Sequence, residues 1–190
     1  CKGGYKCFFA KYKISILKGD LMNKIKKILA ANRSEIAIRI FRAAEESGIK
    51  TAAIYSKEDR FALHRFKTDE SYLVGEGKGP IQAYLDINSI IDIAKKAGVD
   101  AIHPGYGFLS ESAEFSKICS ENGFAFIGPG PEMIMSMGDK ATAKKTMKSA
   151  GVPVIPGGDG ILNGVKEAKA LAIEMGFPVM LKATAGGGGR

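Results

Sequence analysis

The chain has 190 residues, of which 45% are hydrophobic and 25% charged, a balance typical of a globular protein rather than of a disordered one. Its formal net charge of +8 would suit a nucleic-acid partner, but residues 1–21 alone hold five lysines against one aspartate. Beyond Lys27 the opposite charges nearly balance, so we expect no nucleic-acid-binding surface. No apolar run is long enough to span a bilayer, and we expect no membrane segment.

Residues 1–22 form a basic leader. They lack the sustained apolar core and the small-residue cleavage site of a secretory signal, and they are poor in the Arg and Ser of a mitochondrial presequence. Because Met22 directly precedes the first strand pattern, we interpret it as the natural start and the leader as extraneous or disordered. With Cys1 and Cys7 in the leader, Cys119 stands alone, which excludes a disulfide framework and indicates a reducing, cytoplasmic compartment.

From Ile25 onward, short apolar runs alternate with amphipathic helical stretches. Ser34 is the expected N-cap of the first helix, which Gly48 would end, and Gly98 would end the third. Such alternation indicates parallel strands joined by crossovers, hence an α/β fold with an open, Rossmann-like sheet. The predicted strands are 27–31, 51–55, 71–74, 99–103 and 124–127, and the predicted helices are 34–47, 59–66, 88–97 and 112–122.

A second domain is predicted after residue 137. We assign 23–137 to the first domain, which would end with a helix at 131–137. We assign 138–190 to an incomplete second domain, with helices at 142–150 and 165–176 and a strand at 179–183. The chain then runs into AGGGGR at 185–190. Consecutive glycines leave backbone N–H groups free to approach phosphate oxygens, but flexible hairpin tips also use glycine, and spacing alone leaves both interpretations open.

Two lysines could accompany such a loop. Lys182 stands at the end of the predicted strand, ahead of the glycines, and Lys140 lies in the first turn of a helix that Asp139 would cap. A cation at the positive end of a helix is slightly unfavourable, which hints at an anionic partner, although a solvated lysine explains Lys140 equally well.

The run HPGYGFLSE at 103–111 follows the fourth predicted strand, at the edge where open parallel sheets bind ligands. It presents His103, Tyr106 and Glu111. The simpler interpretation is a rigid turn in which the backbone satisfies His103, and no spacing rule joins His103 to Glu111 as an acid–base pair. The first turn, 31–35, lacks the G-x-G-x-x-G pattern, which disfavours a dinucleotide-binding dehydrogenase.

Charged residues also mark one edge of the first helix. Arg39 and Arg42 lie three residues apart, and Glu46 follows four residues after Arg42, so the three side chains share a helix edge. They indicate either a solvated face or a polar contact between subunits.

The chain resembles the biotin carboxylases over residues 24–190. Five runs occur in the order typical of that family, namely ANRSEIA at 31–37, HPGYGFLSE at 103–111, FIGP at 126–129, MGDK at 137–140 and GGGGR at 186–190. Between residues 55 and 87 the chain is most similar to the pyruvate carboxylase branch. Ser34 stands where the family usually has glycine, at a cost of about 1 kcal/mol if φ there is positive, and Ala185 interrupts a longer glycine run.

This resemblance implies a pre-ATP-grasp domain followed by the start of an ATP-grasp domain. It also implies a ligase that uses MgATP and bicarbonate to carboxylate biotin through carboxyphosphate, the first half-reaction of a pyruvate carboxylase. A biotin carrier domain would be its partner, and the full-length protein would be a homo-oligomer. The implied site residues are Lys140, Lys182, Gly188 and Gly189 at ATP, Tyr106 and Glu111 on the biotin side, and Arg39, Arg42 and Glu46 at a dimer contact.

In the family, the catalytic residues and the Mg²⁺ ligands follow the glycine-rich lid. We therefore expect neither a catalytic residue nor a metal site in this chain, and we expect the 190 residues alone not to turn over ATP. The alternatives are the biotin carboxylase subunit of an acetyl-CoA or propionyl-CoA carboxylase, and a non-catalytic α/β nucleotide-binding module with a glycine linker. The run at 103–111 argues against another ATP-grasp ligase such as carbamoyl-phosphate synthetase.

Overall fold

The computed structural model describes residues 25–138, 140–155 and 162–181. The chain divides into two compact units, Cys1–Ile134 and Met135–Arg190, with the division inside a helix, Pro131–Gly138. Among the described residues, no helix is both long and apolar enough to cross a membrane.

The first unit is built on five parallel strands, β1 Lys27–Ala30, β2 Lys50–Tyr55, β3 Glu70–Leu73, β4 Ala101–His103 and β5 Ala125–Phe126. Their order in the sheet is β3-β2-β1-β4-β5. In the register, Ala30 of β1 lies opposite Ala53 of β2 on one side and His103 of β4 on the other. The predicted open parallel α/β sheet is therefore confirmed.

Helices cover the sheet because its central strands are apolar on both faces. Side chains alternate along β1, so Ile28 and Ala30 pack with helix α1 (Ser34–Glu46) on one face. Leu29 points to the other face, into the core that includes helices α2 (Ile87–Ala97) and α3 (Ala113–Glu121). The Cys119 thiol lies in this second core, and burial raises its pKa to about 12, as expected for a structural thiol.

The ends of α2 and α3 follow the local signals in the sequence. Asp86 caps α2 by accepting from Ser89 N–H, and Ser112 caps α3 by accepting from Phe115 N–H at 3.1 Å. Gly98 ends α2 with φ 61, the left-handed conformation that glycine adopts without strain.

The start of α1 differs from the prediction. Ser34 is not the N-cap, because Arg33 occupies that position with extended backbone and makes no side-chain capping bond. Ser34 is instead the first helical residue and has φ 56. The chain leaving β1 turns into α1 through a left-handed residue, a geometry that costs a serine about 1 kcal/mol more than a glycine.

The segment after β2 forms two 3₁₀ turns rather than the single helix predicted at 59–66. They are Glu58–Phe61 and Leu63–Phe66, and Ala62 between them is extended. Phe61, Leu63 and Phe66 are exposed, so the segment offers no continuous apolar stripe that an α-helix could bury. A third 3₁₀ turn, Gln82–Leu85, precedes α2.

The second unit contains the second half of α4 (Pro131–Gly138), with α5 (Lys140–Ser149) and α6 (Val165–Met175). The predicted strand at 179–183 is not formed over residues 179–181, and its last two residues lie outside the described part. A strand needs a hydrogen-bonded neighbour, and the described residues of this unit provide none. Between α5 and α6 lies an apolar cleft of about 750 Å³, lined by residues such as Met147, Leu171 and Leu181.

Candidate functional site

The order of the strands reverses between β1 and β4, and the loops that follow these two strands meet there. Ala31 N–H donates to the carbonyl oxygen of His103 at 2.9 Å, which carries the pairing one residue past the end of β1. In open parallel sheets a crevice opens at this point, outside the carboxyl ends of the strands, and ligands bind in it. The loop at 103–111 and the turn at 31–35 therefore form the candidate site.

Asn32 fills the space between the two loops. Its side chain is 3% exposed, and Nδ2 donates to the carbonyl oxygens of Pro104 at 2.7 Å and Tyr106 at 2.8 Å. Gly105, between these acceptors, has φ 68, and a Cβ there would stand 2.7 Å from Asn32 Nδ2. A residue with a side chain could not occupy position 105 without displacing the amide.

Arg33 joins the same loop to the end of β2. Its Nη1 donates to Asp59 Oδ2 at 3.1 Å, and its guanidinium lies 5.6 Å and 5.7 Å from the ring centroids of Tyr84 and Phe108. The two rings stack with centroids 5.2 Å apart. Arg33 thereby ties Phe108 of the loop to the segments after β2 and β3.

The Tyr84 hydroxyl completes this network inside the protein. It donates to Asp59 Oδ2 at 2.7 Å and accepts from Ser56 N–H at 3.2 Å. Burial, and next the hydrogen bond to Asp59, raise the pKa of Tyr84 far above its usual value. Tyr84 therefore stays a neutral donor, and its role is to hold the Asp59 carboxylate in place.

Tyr106 stands on the outer side of the loop and is 61% exposed. Its hydroxyl donates to Glu35 Oε1, and that hydrogen bond raises the pKa of Tyr106 while the charge of Arg39 lowers it. Glu111 is also exposed. The structure thus brings Tyr106 of the predicted biotin side close to the first helix.

His103 is satisfied by the backbone. Its Nδ1 accepts from Gly105 N–H at 3.0 Å, and burial lowers its pKa, so the imidazole is neutral near pH 7. Within the described part of the chain, His103 and Glu111 make no hydrogen bond or ion pair with each other. The rigid turn is therefore what the run at 103–111 forms, without an acid–base pair.

The three charged residues predicted for a dimer contact lie along one exposed edge of α1. Arg39, Arg42 and Glu46 are exposed, and no ion pair joins them within the described residues. Their charged ends are accordingly turned to solvent in the single chain, and their role in a dimer stays a prediction.

The predicted ATP residues fall largely outside the described part. Lys140 is the first residue of α5, and its side chain is not among those described. Lys182, Gly188 and Gly189 lie beyond the last described residue. Across the described ranges, no group of three or more His, Cys, Asp or Glu side chains is placed to hold a metal ion.

Sequence reasoning did not identify the partly buried network of Asn32, Arg33, Asp59 and Tyr84. In the sequence, the turn at 31–35 gave an expected N-cap, part of the family resemblance and the absence of a dinucleotide-binding glycine pattern, but no hydrogen-bond partner for Asn32 or Arg33. The available signal was the pair Asn-Arg directly after the apolar end of a strand, because polar residues that close to a buried strand need partners. Buried polar groups of this kind are hydrogen-bonded, and here the partners are more than 25 residues away in the chain.

Residues 24–134 match the family described as biotin carboxylase, N-terminal domain. That match covers more than half of the 190 residues, and the chain therefore belongs to this family. Residues 139–190 match the family described as carbamoyl-phosphate synthase L chain, ATP binding domain, in agreement with the predicted start of an ATP-grasp domain.

The chain is most similar to carboxylases that use biotin. A pyruvate carboxylase of Staphylococcus aureus is 59% identical over 169 residues, which are 89% of this chain and 15% of that protein. Biotin carboxylase 1 of Bacillus subtilis is 52% identical over 87% of this chain and 37% of its own length. The predicted resemblance to biotin carboxylases, and within them to pyruvate carboxylases, is confirmed.

Solved structures agree with the fold. The biotin carboxylase domain dimer of the Hydrogenobacter thermophilus 2-oxoglutarate carboxylase, in complex with MgADP, ADP and bicarbonate, superposes with a TM-score of 0.81 at 52% identity. The match covers 87% of this chain and 36% of that one. The chain thus spans 15% of the pyruvate carboxylase named above and little more than a third of a biotin carboxylase.

Proposed function

We propose that this chain is the first part of a biotin carboxylase that uses MgATP and bicarbonate to carboxylate biotin through carboxyphosphate. Residues 23–137 would be its leading α/β domain and residues 138–190 the beginning of its ATP-grasp domain. The longer protein would be a pyruvate carboxylase, in which the carboxyl group passes to pyruvate and gives oxaloacetate. The observation that carries the proposal is the 59% identity to a pyruvate carboxylase along 89% of the chain.

The phosphate-binding role would fall to the second unit. Phosphoryl transfer to bicarbonate is dominated by positioning and by neutralisation of charge, which two lysines can supply. Lys140 and Lys182 would contact the phosphates of ATP, and Gly188 and Gly189 would form part of a lid that excludes water from a hydrolysable acyl phosphate. Mg²⁺ would neutralise phosphate charge when bound, with ligands outside this chain.

The first unit would supply the biotin side and a subunit contact. Tyr106 and Glu111 are both exposed on the loop after β4, at the sheet edge where a ligand can approach. Arg39, Arg42 and Glu46 would meet a second copy in a homo-oligomer. A biotin carrier domain would deliver the biotin, and the reducing compartment inferred from the cysteines would be the cytoplasm.

A chimera tests this function directly. Residues 24–190 would replace the matching part of the S. aureus pyruvate carboxylase, and the purified protein would be assayed for bicarbonate-dependent ADP release and for oxaloacetate. We expect both activities to be retained. Lys182→Ala should lower ADP release by about 100-fold or more, because one donor to a developing charge is worth roughly that much.

Lys95→Ala is the matched control, since Lys95 is exposed on α2 in the first unit and its replacement removes the same charge from the other domain. Equal activity of the two lysine variants would contradict the phosphate role of Lys182. The 190 residues alone should release no ADP in response to bicarbonate and biotin.

The second candidate is the separate biotin carboxylase subunit of an acyl-CoA carboxylase. The 52% identity to biotin carboxylase 1 is the observation that supports this second candidate. The sequence encoded after Arg190 distinguishes the two, because a pyruvate carboxylase continues into a carboxyltransferase and a biotin-attachment segment in the same chain.

A further inference from the structure

We propose that Asn32 is a positioning residue for the biotin-dependent step, acting through the loop that carries Tyr106. This inference rests on the proposed function and adds to it a residue that touches neither ATP nor biotin. The observation behind it is a buried amide whose two hydrogens are both given to that one loop, at Pro104 and Tyr106.

The side-chain amide is the only small group that meets the requirements of this position. Two carbonyl oxygens face it at 2.7 Å and 2.8 Å, so two donors are needed. The other polar atom of the side chain, Oδ1, accepts from Arg33 N–H at 2.8 Å and so orients the amide. An aspartate has the same shape but would place a carboxylate oxygen against carbonyl oxygens, and a serine is too short to reach both.

The loop has a second, independent attachment that keeps it folded when the first is lost. Phe108 stacks on Tyr84 and lies beneath the Arg33 guanidinium, and Leu109 is buried in the core. Changing Asn32 therefore releases residues 104–106 while residues 108–109 stay anchored. The expected result is a looser Tyr106 on an otherwise intact sheet.

Tyr106 depends on this attachment because its own side chain is exposed. The backbone carbonyl of Tyr106 is held by Asn32, and its hydroxyl by Glu35 at the start of α1. Both holding residues belong to the turn after β1, so that turn sets the position of the ring from two sides. A displaced ring would weaken the proposed contact with biotin. The proposed phosphate-binding residues belong to the second unit, and a change at Asn32 does not alter them.

The test uses a chimera of B. subtilis biotin carboxylase 1 that carries residues 24–190, with free biotin as substrate. Asn32→Asp and Asn32→Ser are compared with the parent. We expect the KM for biotin to rise about tenfold or more, while the KM for ATP and the slow biotin-independent ATP cleavage stay within about twofold. Asn122→Asp is the matched control, because Asn122 lies outside the site and its Nδ2 donates a solvent-exposed hydrogen bond to the carbonyl oxygen of Ile118.

A double variant separates positioning from a general effect on stability. If Asn32 acts through Tyr106, then Asn32→Asp should add little to Tyr106→Ala in the KM for biotin, since contacts in one network are not additive. Additive effects of the two substitutions on the KM for biotin would overturn the inference. It would also be overturned if Asn32→Asp impaired all kinetic parameters to the same degree and lowered the unfolding temperature. A parent chimera without biotin-dependent ADP release would instead overturn the proposed function itself.

Discussion

The two units of the chain contrast in how they use their apolar residues. In the first unit, the strand residues Leu29, Ala52 and Ile102 are completely buried between layers of helix. In the second, none of the described residues is buried, and Ile155, Val165 and Met180 are each about four-fifths exposed. Both units have regular helices, so helix formation alone does not distinguish them.

The difference shows what a helix needs beyond its own sequence. The residues of α5 and α6 favour helix formation, but most helical stability in proteins comes from the packing of an apolar face. The first unit provides that packing with a sheet, and the described part of the second unit offers an open cleft instead. We therefore expect the two units to differ strongly in local stability.

The largest expected effect is in hydrogen exchange of the 190-residue chain. Amides of β1 and β4 should exchange only on global unfolding, because they lie in the centre of the sheet. Amides of α5 and α6 should exchange at least about a thousandfold faster, through local opening. Hydrogen exchange followed by mass spectrometry on peptides from both units measures these rates. Equal protection in α6 and β1 would show that the two units do not differ in local stability.

Gly75→Ala should destabilise the first unit by about 3 kcal/mol or more, since a Cβ there would lie 2.4 Å from Ala83 Cα in a backbone with φ 61. Gly98→Ala is the matched control: it has the same φ but nothing within 4 Å, and should cost only about 1 kcal/mol.

Gly151→Ala, with φ 74 in the second unit, should leave the unfolding of the first unchanged. The free energies of unfolding come from urea titrations followed by circular dichroism. Similar losses for Gly75→Ala and Gly98→Ala would show that the backbone near Ala83 moves aside.

Acid should weaken the first unit selectively, because both histidines of the chain lie in it. Burial lowers the pKa of His64 and of His103 below the usual value of 6.5. The unfolded chain therefore binds more protons between these pKa values, so stability is complete above pH 6.5 and falls as the pH decreases through the folded pKa values. His64 Nδ1 has no partner among the described residues, and its Nε2 lies 3.1 Å from the carbonyl oxygen of Ile54.

Thermal unfolding of the first unit at pH 7.5 and 5.5 checks this expectation. The midpoint should be lower at pH 5.5, and unfolding there should take up protons from the buffer. Proton release, or a midpoint that rises on acidification, would show that the imidazoles are charged in the folded state.

The smallest effect concerns Ser34, the residue of α1 with positive φ. Ser34→Gly should stabilise the first unit by about 0.5 to 1 kcal/mol, because glycine adopts φ 56 without the steric cost of a Cβ. Ser120→Gly, on the exposed face of α3, should instead destabilise it by about 0.5 kcal/mol. A loss of stability in Ser34→Gly would mean that the hydroxyl has a role of its own.

The sequence predicted the sheet well because buried parallel strands are continuous apolar runs between helical patterns. It failed at Ser34, where the preference of serine for N-caps hid the need for a left-handed residue. It also missed Asn32 as the centre of the site, since a partner 72 residues away leaves no periodic signal. The mostly apolar segment at 179–183 indicated a strand, but such a segment carries no information about whether a neighbouring strand is present.

The position of Asn32 also limits which ligands can approach the sheet between β1 and β4. Dinucleotide-binding relatives of the architecture admit a pyrophosphate at the crossover between the first and fourth strands, against bare glycine backbone. Here the two amide hydrogens of Asn32 lie at that crossover and are hydrogen-bonded to the carbonyl oxygens of Pro104 and Tyr106. A ligand could reach this point of the sheet only if residues 104–106 moved away, so the surface open to a ligand here is the outer side of the loop.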